Sequence, residues 1–230
     1  MKAKYTKQIM AVLVFIGCLL MIPVASFADE IYYLSVPNAS ISPYPGSYAE
    51  VDVALVNSTH TDITVTSLTN ANFIYLLGDS GIVALNVTGT PSIVGGIGGI
   101  TSSNSYSGFT PGPIMGIGSG NEDGFGNFNL VIDSFDGYTH SGTSLSFQVA
   151  SSDVNWTDAS QVLVDNTSGY LAADHIYVAD TRNLGAGALV TGYAGNGGGS
   201  SISAVPEPAT MLLLGLGLFG LAGVRRKFKK

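Results

Sequence analysis

Apolar and polar residues alternate along several stretches of the chain. Val51, Val53 and Leu55 fall on one face, with Glu50, Asp52 and Ala54 on the other. Ile63 and Val65 alternate with Asp62, Thr64 and Thr66. Phe128, Leu130 and Ile132 alternate with Asn127, Asn129 and Asp133, Val131 being the exception. Leu145, Phe147 and Val149 alternate with Ser144, Ser146 and Gln148. A period of two with one polar face predicts half-buried antiparallel strands. Apolar runs at 73–77 and 82–87 predict strands covered on both faces. Residues 31–36, 170–178 and 188–193 complete a set of about nine. Turn residues separate the runs at Pro43-Tyr44-Pro45-Gly46, Asn57-Ser58, Gly78-Asp79-Ser80-Gly81, Asp136-Gly137 and Ser168-Gly169. Residues 158–164 read as a single helical turn or an edge strand. No stretch repeats the helical pattern of an α/β chain. The expected class is therefore all-β, an antiparallel β-sandwich of jelly-roll or Ig-like type over residues 29–194.

The alternation stops in four places. Residues 91–126 are dense in Gly, Ser, Asn and Pro, with isolated apolar residues. They predict a mobile surface excursion with one short hairpin. Residues 195–204 begin GNGGGSSIS and read as a flexible linker. At the start of the chain, Lys2, Lys4 and Lys7 precede an apolar run at 9–22, and Pro23 breaks it. Ser26-Phe27-Ala28 supplies small residues ahead of a cleavage point between Ala28 and Asp29. Residues 1–28 thus read as a secretory signal peptide with an apolar helix.

The fourth place is the end of the chain, VPEPATMLLLGLGLFGLAGVRRKFKK, over residues 205–230. Val205-Pro206-Glu207-Pro208 is stiff, because each proline fixes φ and removes an amide donor. An uncharged run of 16 residues follows, at 209–224. Arg225, Arg226, Lys227, Lys229 and Lys230 then surround Phe228. An apolar run with a basic end predicts a transmembrane helix whose basic end stays in the cytoplasm. Its length as a helix is about 24 Å, short of the roughly 30 Å hydrocarbon core. A segment that short suits temporary retention better than permanent anchoring.

Charge narrows the function classes. Of the nine basic residues only Arg182 lies between the terminal segments, against 15 acidic residues, so the body has a net charge of −14. Nothing basic is available to neutralise phosphates, which excludes nucleic acid as an electrostatic partner. Few salt bridges are possible, and apolar burial with a hydrogen-bonded sheet must supply stability. Cys18 is the single cysteine. Phe15-Ile16-Gly17-Cys18 resembles a lipoprotein box only in part, because the usual Leu is missing and apolar residues continue past the cysteine. Cys18 therefore reads as a signal-peptide residue, leaving a mature protein with no disulfide or thiol chemistry.

Several short motifs bear on chemistry. Gly78-Asp79-Ser80-Gly81 resembles the nucleophile segment of trypsin-like proteases, but Ile82 and Val83 follow where that family continues with Gly and Pro. No histidine stands in the right context, and the tetrapeptide reads as a hairpin turn. Ser119-Gly120-Asn121-Glu122-Asp123-Gly124 resembles the start of an EF-hand loop, but Leu130 occupies the position that needs a bidentate Glu. An irregular calcium site or a solvated acidic loop are the two readings left. His60, His140 and His175 match no metal spacing. Asp174 and His175 are adjacent on an expected strand, so they should face opposite ways. Trp156 reads as core rather than as a sugar platform. No cofactor and no catalytic residue is expected.

The order of Pro-Glu-Pro, short apolar run and basic end resembles the PEP-CTERM sorting signal of Gram-negative bacteria that make exopolysaccharide. The resemblance covers the tail alone. It implies recognition by an exosortase, a membrane cysteine protease, and cleavage near Pro206-Glu207-Pro208. It implies a transient stay in the inner membrane, then the cell surface or extracellular matrix, in contact with exopolysaccharide. The leading expectation is a non-enzymatic exported surface protein. A carbohydrate-binding module with exposed aromatics and a secreted hydrolase with clustered carboxylates are the alternatives.

Overall fold

Alternating and apolar stretches become strands in the computed structural model, which describes residues 28–97, 101 and 109–203. In chain order these are β1 (Glu30–Pro37), β2 (Ala49–Asn57), β3 (His60–Ser67), β4 (Thr69–Asn70), β5 (Phe73–Leu77), β6 (Val83–Leu85), β7 (Pro91–Val94), β8 (Ile114–Glu122), β9 (Gly126–Ser134), β10 (Ser144–Ser151), β11 (Ala172–Asp180) and β12 (Val190–Ser203). They form one antiparallel sheet in the order β7-β10-β3-β2-β1-β12-β11-β6-β9-β8, with β5 also on β11 and β4 on β5. Residues 158–164 supply a 3-10 turn at Ala159–Gln161, capped by Asp158, whose carboxylate accepts the Ser160 amide at 2.9 Å. Among the described residues no helix is long and apolar enough to cross a membrane. The expected signal helix and transmembrane helix lie outside them.

The sheet curls, and one apolar core gathers residues from both of its halves. Val51, Val53, Ile63, Leu145 and Val149 come from one half, and Leu77, Val83, Ile132, Ile176 and Val178 from the other, all buried. Each fully buried side chain of this size contributes about 1.5–3 kcal/mol. Trp156 is wholly buried in this core. That removes it as a sugar platform and agrees with its reading as core.

β11 is buried along almost its whole length. Ala172, Ile176 and Val178 belong to the main core, while Ala173, Tyr177 and Ala179 pack in two smaller clusters on the other face. Alternation puts Asp174 with the main core and His175 opposite, as the sequence requires.

Two expectations are corrected. Residues 195–204 are not a flexible linker, since β12 runs through them to Ser203 and pairs with β1 as Glu30↔Ser203, Ile31↔Ile202 and Tyr32↔Ser201. Gly195 is small because a Cβ there would run into the Phe125 ring. The expected mobile surface excursion with one short hairpin, at 91–126, holds more regular structure than that among its described residues, and residues 98–100 and 102–108 lie outside them. It supplies edge strand β7 on β10 and the long strand β8 on β9. In β8 the glycines Gly116, Gly118 and Gly120 replace one side of the alternation, so the strand leaves no apolar signal in the sequence.

Candidate functional site

The tetrapeptide Gly78-Asp79-Ser80-Gly81 is not a hairpin turn. β5 and β6 both run antiparallel to β11, as Leu77↔Ile176 and Leu85↔Ala172. The residues between them bulge out of one interrupted strand, and the Gly81 carbonyl still accepts the His175 amide at 2.9 Å. Bulges of this kind re-aim side chains locally. Asp79 holds a left-handed conformation, φ 75°, and its own carboxylate accepts the Ser80 amide at 2.8 Å.

Around this bulge gathers a knot of acids and tyrosines. Asp79 also accepts the Tyr177 hydroxyl at 3.0 Å. Asp133, from β9, accepts the Ser80 hydroxyl at 2.9 Å and the Gly81 amide at 2.8 Å through the same oxygen. Glu122, at the end of β8, is only 4% exposed, and a Cβ on Gly81 would collide with its carboxylate. The glycine is what lets the acid sit there. Ser80, Gly116, Gly118, Gly120, Glu122 and Asp133 line an open groove of about 390 Å³.

Electrostatics follow from burial without cations. Burial, and then Asp133, push the Glu122 carboxyl up to about 7, while the Tyr193 hydroxyl opposes them. Tyr193 is itself pushed up to about 12 by burial and by Glu122. Burial works to raise Asp79, but hydrogen bonds with Asp136, the Ser80 amide and Tyr177 outweigh it and hold it low. The same interaction with Asp79 raises Asp136. Asp174 is fully buried, and neither oxygen has a partner in bonding geometry. Burial and Glu122 push it well above the usual carboxylate range, and the Ala84 amide opposes them only from outside bonding geometry. The one arginine of the body, Arg182, is occupied by Asp180 at 2.6 Å.

These contacts decide among the short motifs. The Ser80 hydroxyl donates to Asp133 rather than to a histidine. His175 uses Nδ1 toward the Gly78 carbonyl at 2.7 Å and Nε2 toward Thr191 Oγ1 at 2.8 Å. Its ring lies edge-on between Tyr177 and Tyr193, and burial lowers its pKa. The bonds therefore do not assemble a Ser–His pair. His60 bonds to Thr59 and Asn57, and His140 to the Thr110 carbonyl. Asn121 donates to Asn127 at 3.3 Å, and Asp123 accepts from Asn38 at 3.4 Å, so the EF-hand-like residues serve separate partners. Among the described residues no group of three or more His, Cys, Asp or Glu is placed to hold a metal ion. Sequence reasoning missed the pairing of Glu122 with Gly81 and of Asp133 with Ser80, because residues 41 and 53 positions apart meet only when β9 pairs with β6.

Of the residues expected to be processed, the structure describes Ala28 and Asp29. Ala28 and Asp29 directly precede β1, in irregular backbone. β1 opens at Glu30, paired with Ser203 on one side and with Val53 on the other. The sorting residues Val205, Pro206, Glu207 and Pro208 lie outside the described residues, as do Arg225, Arg226, Lys227, Lys229 and Lys230. Only Ala204 separates the last paired residue of β12 from Val205.

Neither the curated proteins nor the solved structures offer a match to this chain. Among protein-family models, the PEP-CTERM protein-sorting motif matches residues 204–227. This motif is the recognition signal for exosortase, and it directs export and membrane-associated sorting toward the cell surface. The chain therefore ends in a PEP-CTERM protein-sorting motif, carried on an all-β body.

Proposed function

We propose that the protein is an exported, non-enzymatic surface or extracellular-matrix component of a Gram-negative bacterium that makes exopolysaccharide. Residues 1–28 are removed as a signal peptide between Ala28 and Asp29. The apolar run and basic end hold the chain in the inner membrane for a time. Exosortase cuts near Pro206-Glu207-Pro208, and the body, a β-sandwich of jelly-roll or Ig-like type, passes to the surface and its exopolysaccharide. The observation that carries this reading is the family match over residues 204–227. The acidic, cysteine-free body supports it, since such a chain suits an exterior setting and needs no disulfide. The test is the intact mass of protein recovered outside the cell, with and without exosortase. A mass lacking both 1–28 and everything beyond about 206–208, only when exosortase is present, is expected. A full C-terminus in the inner membrane of both strains would make the tail a plain anchor.

One observation favours a second reading, a secreted hydrolase. Glu122 and Asp133 border the same groove, one carboxyl raised to about 7 and the other bonded to Ser80 and Gly81. Glycoside hydrolysis uses a protonated acid opposite an ionised carboxylate. Purified protein incubated with the producing strain's polysaccharide should then release reducing ends, and Asp133→Asn should abolish the release. No release by the unsubstituted protein removes this reading.

A further inference from the structure

The end of β12 is held differently from the rest of the strand. Asn196 is buried, and its side-chain oxygen accepts the amides of Leu171 at 2.8 Å and Ala172 at 3.1 Å. That fixes β12 to the rest of the sheet. The next pairing with β1 comes only at Ser201, because the register shifts between Leu34↔Asn196 and Tyr32↔Ser201. Gly197-Gly198-Gly199-Ser200 fills the shift. Three pairs then close the strand, at Ser201, Ile202 and Ser203. β11 leaves β12 at Gly195, so among the described residues this last stretch is held by β1 alone. Glycine is the residue with most to gain in backbone freedom when such a stretch opens.

The position of this last stretch, a clasp on β1, matters for proteolysis. Proteases commonly bind substrates as extended strands, through main-chain hydrogen bonds on both sides of the scissile bond. With the clasp closed, Ala204 and Val205 alone separate the sheet from Pro206. Two residues reach about 7 Å, and the residues upstream have the main-chain groups that face β1 committed to it. With the clasp open, residues 197–205 are free, and nine extended residues reach about 30 Å. The Asn196 bonds leave the core intact while this happens.

We infer that the pairing of residues 201–203 with β1 gates removal of the sorting tail, and that exosortase cuts the chain with the clasp open. This inference rests on the reading of the tail as an exosortase signal. After the cut the clasp closes again on Glu30, Ile31 and Tyr32 and seals the edge of β1.

A disulfide staple tests it. Ile31 and Ile202 are direct cross-strand partners, and such Cα pairs lie about 4.5–5.5 Å apart, within disulfide range. The single natural cysteine, Cys18, lies in the segment expected to leave with the signal peptide. The double variant Ile31→Cys/Ile202→Cys is expressed in a host with exosortase, and tail removal is followed by intact mass over time. The oxidised form should lose its tail on the order of tenfold more slowly than either single variant, because the rate follows the fraction of open clasp. Reduction should restore the rate, which separates stapling from misfolding. Insertion of an eight-residue Gly-Ser segment between Ser203 and Ala204 should also restore it in the stapled form. Equal rates for the oxidised, reduced and single-cysteine forms would overturn the gate and leave the sorting signal standing. No removal from any form, the unsubstituted and inserted chains included, would overturn both.

Discussion

At the scale of single residues, this protein hides carboxyl groups without supplying cations. Glu122 shows what that does to stability. Its ordinary value is 4.5, and in the fold it is pushed up to about 7. A carboxyl raised on folding contributes stability that is fully present below its unfolded value and is lost as pH rises through its folded value. The window here runs from about 4.5 to about 7. A shift of this size corresponds to about 3 kcal/mol, and about 2 after screening by solvent. Through Glu122 the protein should gain stability from pH 8 to pH 5, against an opposite contribution from His175, whose lowered pKa costs stability as pH falls below 6.5, and Glu122→Gln should remove the Glu122 part and stabilise the pH 8 form. Denaturant midpoints of both proteins at the two pH values check this. Parallel shifts in the two proteins would show that Glu122 does not ionise in this range. Asp174 acts with the same sign, because burial raises it too.

At the scale of elements, what was legible depended on side chains that could carry a pattern. The alternation at 51–55, 63–65, 128–132 and 145–149 lies inside β2, β3, β9 and β10. The apolar run at 73–77 matches β5. β8 was not legible, because three of its nine residues are glycine and the strand has only one partner. The last part of β12 was read as a linker for the same reason, although backbone pairing with β1 needs no side chain at all. Gly78-Asp79-Ser80-Gly81 has the residues of a hairpin turn and forms a bulge instead, because both flanking strands find β11. The acidic knot could not be read in advance. Its members lie on separate strands, and nothing local in the sequence says that β9 will meet β6. The sorting tail was legible because its signal is local, a fixed order of stiff, apolar and basic parts.

At the scale of the whole molecule, charge and topology set the behaviour. A body with 15 acidic residues and one arginine repels itself. Salt screens such repulsion, with a Debye length of about 10 Å at 0.1 M. The body alone, residues 29–205, should therefore gain about 1 kcal/mol or more between 10 mM and 0.5 M sodium chloride near pH 7. Thermal unfolding at both concentrations measures it, and a midpoint that stays constant or falls would contradict self-repulsion as a net cost.

The sheet order carries a different consequence. β12, the last strand synthesised, lies between β1 and β11, in the middle of the sheet rather than at an edge. Until it arrives, β7-β10-β3-β2-β1 and β11-β6-β9-β8 lack the strand that lies between them, and the isolated bridge of Leu77 with Gly142 is a single link across the gap. Pairings between the two ends of a chain are the slowest to form, because loop closure must come first. A chain threading a membrane N-terminus first would lack the strand between its two half-sheets until about residue 196 had crossed, where β12 completes its pairing with β11 and its first pairs with β1. On that route the sheet would close only behind its own export, when β12 came through to lie between β1 and β11.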